Sequence, residues 1–169
     1  FNIKMEQQKV RDSYWKEEEE ELLRQWADKA QCYQWIHLRS REIYQKKNSW
    51  YTVPVIVIST FVGTASFAQE RFSEEDKQYV AMGVGSMSII AGIISTISQF
   101  LKVSELNEAH RIAALSWGKF YRTVKTEITR HPLDRNGPTM VISNNKEEFD
   151  RLVEISPPVP KKVVKEFQD

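Results

Sequence analysis

Cysteine, histidine and glycine are scarce in this sequence. Cys32 is the only thiol in 169 residues, which excludes an intrachain disulfide and a four-cysteine zinc site and fits a reducing, cytosol-facing setting. The three histidines are spread along the chain, and no phosphate-cradling glycine loop, HExxH pair or nucleophile elbow is present. Neither catalysis nor a cofactor or metal site is therefore expected. Excess charge is lacking too: 24 basic residues face 23 acidic ones, a net charge of +1, which leaves no bulk attraction for a nucleic-acid partner.

Charge is also missing locally, and there its absence is informative. The mean hydropathy of −0.51 averages polar flanks with two runs free of charged residues, 48–69 and 78–101. Each meets the requirement of about 20 residues, or roughly 30 Å of helix, for crossing a bilayer. A soluble helical hairpin with these runs as its core is the competing reading. Such a core helix keeps a charged face, whereas these runs have none and carry dense charge at one end. Because FNIKMEQQKV has no apolar stretch of a cleavable signal peptide, the first run is expected to direct insertion.

Residues 70–77, ERFSEEDK, form the only connection between the runs and carry a net charge of −2 from four acids against Arg71 and Lys77. Arg39, Arg41, Lys46 and Lys47 precede the first run, and Lys102 and Arg111 follow the second. That asymmetry places both termini on the cytoplasmic side, with the short acidic loop outside. Trp50, Tyr51 and Tyr79 occupy run edges, where amphipathic rings favour the headgroup layer. Pro54 predicts a kink near 48–50 rather than a break.

The second run carries small and polar residues at helical spacing: Gly85, Ser88, Gly92, Ser95 and Gln99 step by three and four along one stripe. In lipid, small residues admit close backbone approach, and hydroxyls or amides hydrogen-bond across helices. Ser59, Gly63 and Ser66 in the first run, with Thr60 and Thr64, offer a matching set. Two readings stay open: packing against a neighbouring helix of the same or another chain, or the lining of a water-filled pore. Two spans cannot enclose a pore, so the second reading requires a homo-oligomer. The segment TFVGT at 60–64 faintly resembles a potassium filter, but it lies within a span and eight connecting residues leave no room for a re-entrant pore helix.

From about Asp12 to Lys47 there is neither glycine nor proline, and Trp26, Ala30, Tyr33, His37, Ser40 and Tyr44 alternate steps of four and three. Leu106, His110, Ala113, Trp117, Phe120 or Tyr121, Val124 and Ile128 repeat that rhythm. Two long helices are expected, continuing from the spans and packing antiparallel as a cytoplasmic stalk, with His37 and His110 as a facing pair. Interface histidines, or a pH-sensitive contact, are the readings of that pair. Beyond the stalk, HPLDRNGP marks a stop, Asn144 or Asn145 is expected to cap a short helix KEEFDRLVE, and SPPVP leads to amphipathic KKVVKEFQ. The tail has too few apolar residues for its own core and is expected to fold back on the stalk or dock a partner.

The fold expected from the residues is thus an all-α membrane protein. An N-terminal cytoplasmic helix (1–47), a spanning helix (48–69), an outside loop (70–77), a second spanning helix (78–101), a cytoplasmic helix (102–130) and a tail (131–169) follow in order.

Two segments carry a family resemblance. VPVIVISTFVGTASF at 53–67 and QFLKVSELNEAHRIAALSW at 99–117 resemble the SMODS- and SLOG-associating two-transmembrane effector (SLATT) family, over about 33–127. The matching residues are Pro54, Gly63, Thr64, Ser66 and Phe67, then Lys102, Ser104, Glu105, His110 and Arg111. The tail EFDRLVEISPPVP is similar to the branch found in large DNA viruses and some eukaryotes. The resemblance implies two spanning helices extended into the cytoplasm and a role as a membrane pore-forming effector. Glu105 and Arg111, where helix leaves the membrane, are expected to pair with Arg39, Arg41 or Lys46 and to set the stalk's geometry. The function expected is a homo-oligomeric pore or ion channel, with the bilayer, other copies of the chain and ions as partners. A non-conducting oligomeric scaffold that uses stalk and tail to bind partners is the alternative.

Overall fold

The computed structural model describes residues 15–131 and 134–168. The beginning of the N-terminal segment (1–14, with Asp12), Pro132 and Leu133 of HPLDRNGP, and Asp169 lie outside the described residues. Among the described residues the structure is all helical: α1 spans Glu17–Ala68, α2 Glu74–Phe100, α3 Val103–Thr129, α4 Pro138–Ile155 and α5 Lys161–Gln168. Two of these helical stretches are long and apolar enough to cross a membrane.

Local chemistry explains most of the boundaries. Helix α1 opens with Glu17 to Glu20 in its first turn, where carboxylates oppose the positive end of the helix dipole. The Glu19 carboxylate accepts from the Lys16 N–H at 3.0 Å. Helix α1 then runs for 52 residues with Pro54 inside it. A 3₁₀ turn, Gln69–Arg71, ends the first apolar run, and Ser73 caps α2 by accepting from the Asp76 N–H at 3.3 Å. The connection is therefore shorter than the expected 70–77, because Glu74 to Lys77 make the first turn of α2.

Two expectations are corrected. The second apolar run does not continue smoothly into the next helix: α2 ends at Phe100 and α3 begins at Val103, with Lys102 between them at φ 50. There the Lys102 N–H donates to Gln99 O at 2.9 Å, and its carbonyl accepts from Leu106 N at 2.9 Å. One left-handed residue thus closes one helix and opens the next. The apolar periodicity runs across this junction unbroken, so periodicity alone hides it. Nor does Asn144 or Asn145 cap a helix: α4 starts at Pro138, whose missing N–H costs nothing at a first turn. Asn145 lies inside α4, donating its amide to Val141 O at 2.8 Å.

The described residues divide into two compact units, one made of the chain up to Ser40 with Ala109 onward, the other Arg41–Glu108. The first has a close-packed core. Leu23, Ala27 and Ala30 of α1 meet Ala113, Trp117 and Val124 of α3, and Leu152 of α4 completes the cluster. Trp117 is fully buried, stacked on Tyr33 at 4.6 Å and met edge-on by Phe149 at 5.2 Å. Its indole N–H donates to Ser156 Oγ at 2.9 Å. The tail therefore folds back onto this unit, and α5 is tied in by buried Val163 and the Arg39–Glu166 ion pair at 2.7 Å. At Gly118 the backbone lies so close to Gln34 that a Cβ there would meet its amide nitrogen at 2.7 Å.

In Arg41–Glu108 the apolar residues face outward. Of the 26 exposed large apolar side chains among the described residues, 16 lie between Trp50 and Leu101. Phe61 is 64% and Phe100 84% exposed, whereas Ala91 and Val103 are buried.

Candidate functional site

Helical phase decides which side of α2 is covered. Val84, Ala91 and Ser98, seven residues apart, are buried or half-buried, as are Ile94 and Ser95. Gly85, Gly92 and Gln99 follow one residue later, about 100° round the helix, and these three and Ser88 are exposed. A Cβ added at Gly85 or Gly92 meets nothing within 4 Å. Packing within the same chain, one of the readings of this stripe, is therefore not what its glycines do. The matching set in α1 is open as well: Ser59, Gly63 and Ser66 are exposed, and a Cβ at Gly63 also meets nothing within 4 Å.

The polar groups of these stripes differ in how they are satisfied. The Ser88 hydroxyl donates to Val84 O at 2.8 Å, Thr60 to Ile56 O at 2.8 Å and Thr64 to Thr60 O at 2.9 Å. Each thus returns to its own helix instead of crossing to the other. The Gln99 carboxamide, with two donors and an acceptor, has no partner among the described residues and is exposed. It stands at the end of α2, one residue before Phe100.

His37 and His110 come together in the other unit. Their Nδ1 atoms lie 2.9 Å apart, and both side chains are almost completely buried, as is Ser40, three residues after His37. At that distance one ring donates its Nδ1–H and the other offers a lone pair, so the pair holds one shared hydrogen between two neutral imidazoles. Burial, with the charge of His110 adding to it, pushes the pKa of His37 down to about 4, and burial lowers that of His110. No third His, Cys, Asp or Glu joins them in a metal-binding group among the described residues.

The expected partners of the remaining site residues are rearranged. Glu105 lies 3.9 Å from Lys102, one turn away in sequence and well exposed, rather than against Arg41 or Lys46. Arg39 instead binds Glu166 of the tail, whose carboxyl it holds below the usual range. Arg111 is half-buried in α3, and Cys32 is exposed. The tail contact of Arg39 was outside the reach of sequence reasoning, since 127 residues separate the partners.

Comparison with protein-family models, with curated proteins and with solved structures gives no match for this chain.

Proposed function

We propose that this chain is the subunit of a homo-oligomeric membrane pore, with 48–69 and 78–101 as its spanning helices and both termini on the cytoplasmic side. The observation that carries the reading is the open stripe on α2. Gly85, Ser88, Gly92 and Gln99 face outward, with open space at both glycines. An unpartnered carboxamide in hydrocarbon costs several kcal/mol, of the order of 4 or more for transfer into alkane. A second copy of the chain or a water-filled lumen removes that cost. Outward-facing rings such as Phe61 and Phe67 are stable in lipid and unfavourable in water. The resemblance to SLATT proteins agrees with this reading.

The remaining helices form an antiparallel stalk in this proposal. Contacts Glu20–Arg135, Tyr33–Trp117 and His37–His110 support it, the second number falling as the first rises.

Flux of small cations and anions through liposomes holding the purified oligomer tests the proposal, beside Gln99→Leu and Gly92→Leu variants. Gly92 has room for a side chain, so its replacement leaves the subunit intact while narrowing a lumen. Flux in the wild type that both variants alter is the expected result; intact oligomers without flux overturn the pore. The scaffold reading draws on the Ser88 hydroxyl, which its own helix already satisfies. It predicts that both variants change assembly and neither changes permeability.

A further inference from the structure

A cavity of about 490 Å³ lies beside the junction of α2 and α3, lined by Lys46, Lys47, Trp50 and Tyr51 of α1 and by Leu101 and Val103 across from them. The junction itself creates one wall. In a continuous helix, residues two apart point to nearly opposite sides, so Leu101 and Val103 would not share a cavity. The left-handed turn at Lys102, φ 50, brings both onto it.

The two ammonium groups differ from those cations of the chain that are held in ion pairs. Arg24, Arg39, Lys77, Arg130, Arg135 and Arg151 each sit within 4.0 Å of a carboxylate. Lys46 has no such partner among the described residues. Lys47 Nζ instead lies over the Tyr44 ring, 5.5 Å from its centroid. A second hollow of about 520 Å³ shares Lys46 and Trp50 and brings Glu42 to its rim. Trp50 between the two hollows is 79% exposed. Uncompensated cations above an apolar floor, next to an indole at the edge of an apolar run, match a phosphate on an acyl chain.

We propose that this cavity binds the phosphate of an anionic lipid, with Lys46 and Lys47 on the phosphate and Leu101 and Val103 against the first acyl carbons. The proposal rests on the membrane reading above, which places these residues at the cytoplasmic boundary of the bilayer.

Native mass spectrometry of the full chain released from detergent, with short-chain phosphatidylglycerol, phosphatidylcholine or inorganic phosphate added, tests it. Wild type is expected to retain phosphatidylglycerol in preference to phosphatidylcholine, and K46Q/K47Q to bind it roughly thirtyfold more weakly. The charge-matched control K161Q/K162Q is expected to bind as wild type does. Equal loss in the control reduces the effect to diffuse charge and overturns the site, as does undiminished binding by K46Q/K47Q. Displacement of the lipid by inorganic phosphate at equal concentration overturns the lipid and leaves a phosphate site. Flotation of both variants with phosphatidylcholine vesicles after alkaline extraction separates the two levels. If wild type does not float, the membrane reading fails and takes the lipid site with it. If all float and selectivity is absent, only the site fails.

Discussion

Trp117 and Phe61 are both large rings at helix positions, yet one is fully buried and the other 64% exposed. The contrast holds for the units around them. Around Trp117, rings from α1, α3 and α4 stack and meet edge-on within 6.5 Å of one another, and ion pairs close the rim. Between Arg41 and Glu108 the rings point outward and the charges collect at the ends of the apolar runs. Burial of a large apolar side chain contributes about 1.5–3 kcal/mol, so the first unit draws its stability from its own interior. The second unit buries few such side chains, and its stability depends on what surrounds it. An identical helical period therefore turns its rings inward in one unit and outward in the other.

The sharpest way to break this comparison is to remove one ring from each unit. Trp117→Ala is expected to cost about 3–5 kcal/mol, because it empties the space between Tyr33 and Phe149 and leaves Ser156 without its donor. Phe61→Ala is expected to stay within about 0.5 kcal/mol. Denaturant unfolding of the detergent-solubilised chain, followed by near-UV circular dichroism, measures both; similar costs would erase the distinction.

Acid is expected to act on the same unit. The folded-state pKa of His37, about 4, lies below the ordinary imidazole value, so the unfolded chain binds the proton more tightly. Stability is then complete above about pH 6.5 and falls as pH drops toward about 4, by roughly 3 kcal/mol at most for this one group. Thermal melts across that range should show the decline in the wild type. A H37L/H110L variant, with both titrating rings removed, should flatten it; an unchanged decline would assign the acid sensitivity elsewhere.

The smallest effect concerns Lys102 in the other unit. A non-glycine residue in the left-handed region costs about 1 kcal/mol, so Lys102→Gly should raise the stability of Arg41–Glu108 by about that amount. Hydrogen exchange at the Lys102 and Leu106 amides reads it directly. Slower exchange is expected, and faster exchange would mean that the lysine side chain holds the turn.

Much of this architecture was legible in the residues. The positions at Ala30, His37 and Ser40, and at His110, Ala113 and Trp117, share the step of three and four that makes a buried stripe. The absence of charge in 48–69 and 78–101 marked the apolar lengths. Less legible were the ends and the phase. Glu74 to Lys77 were expected in a loop and begin α2; Asn144 and Asn145 were expected to cap α4 and lie within it, after Pro138. The stripe from Gly85 to Gln99 was read from spacing, and spacing does not say which neighbour it faces: Ser95 is half-buried while Gly85, Ser88, Gly92 and Gln99 are exposed. Arg39 found a partner in Glu166 that proximity in sequence did not specify, whereas Glu105 stayed with its near neighbour Lys102.

Sequence by itself determined the helical class, the two apolar lengths and the amphipathic faces, because each follows from propensities and spacings that a helix expresses within a few turns. Tertiary structure alone decided that Val84, Ala91 and Ser98 are covered while Gly85 and Gly92 are open. It also decided that His37 meets His110 nitrogen to nitrogen, and that Lys102 turns left-handed to set Leu101 and Val103 on one wall. The histidine pair depends on a contact between residues far apart in the chain, whose energy no local window contains.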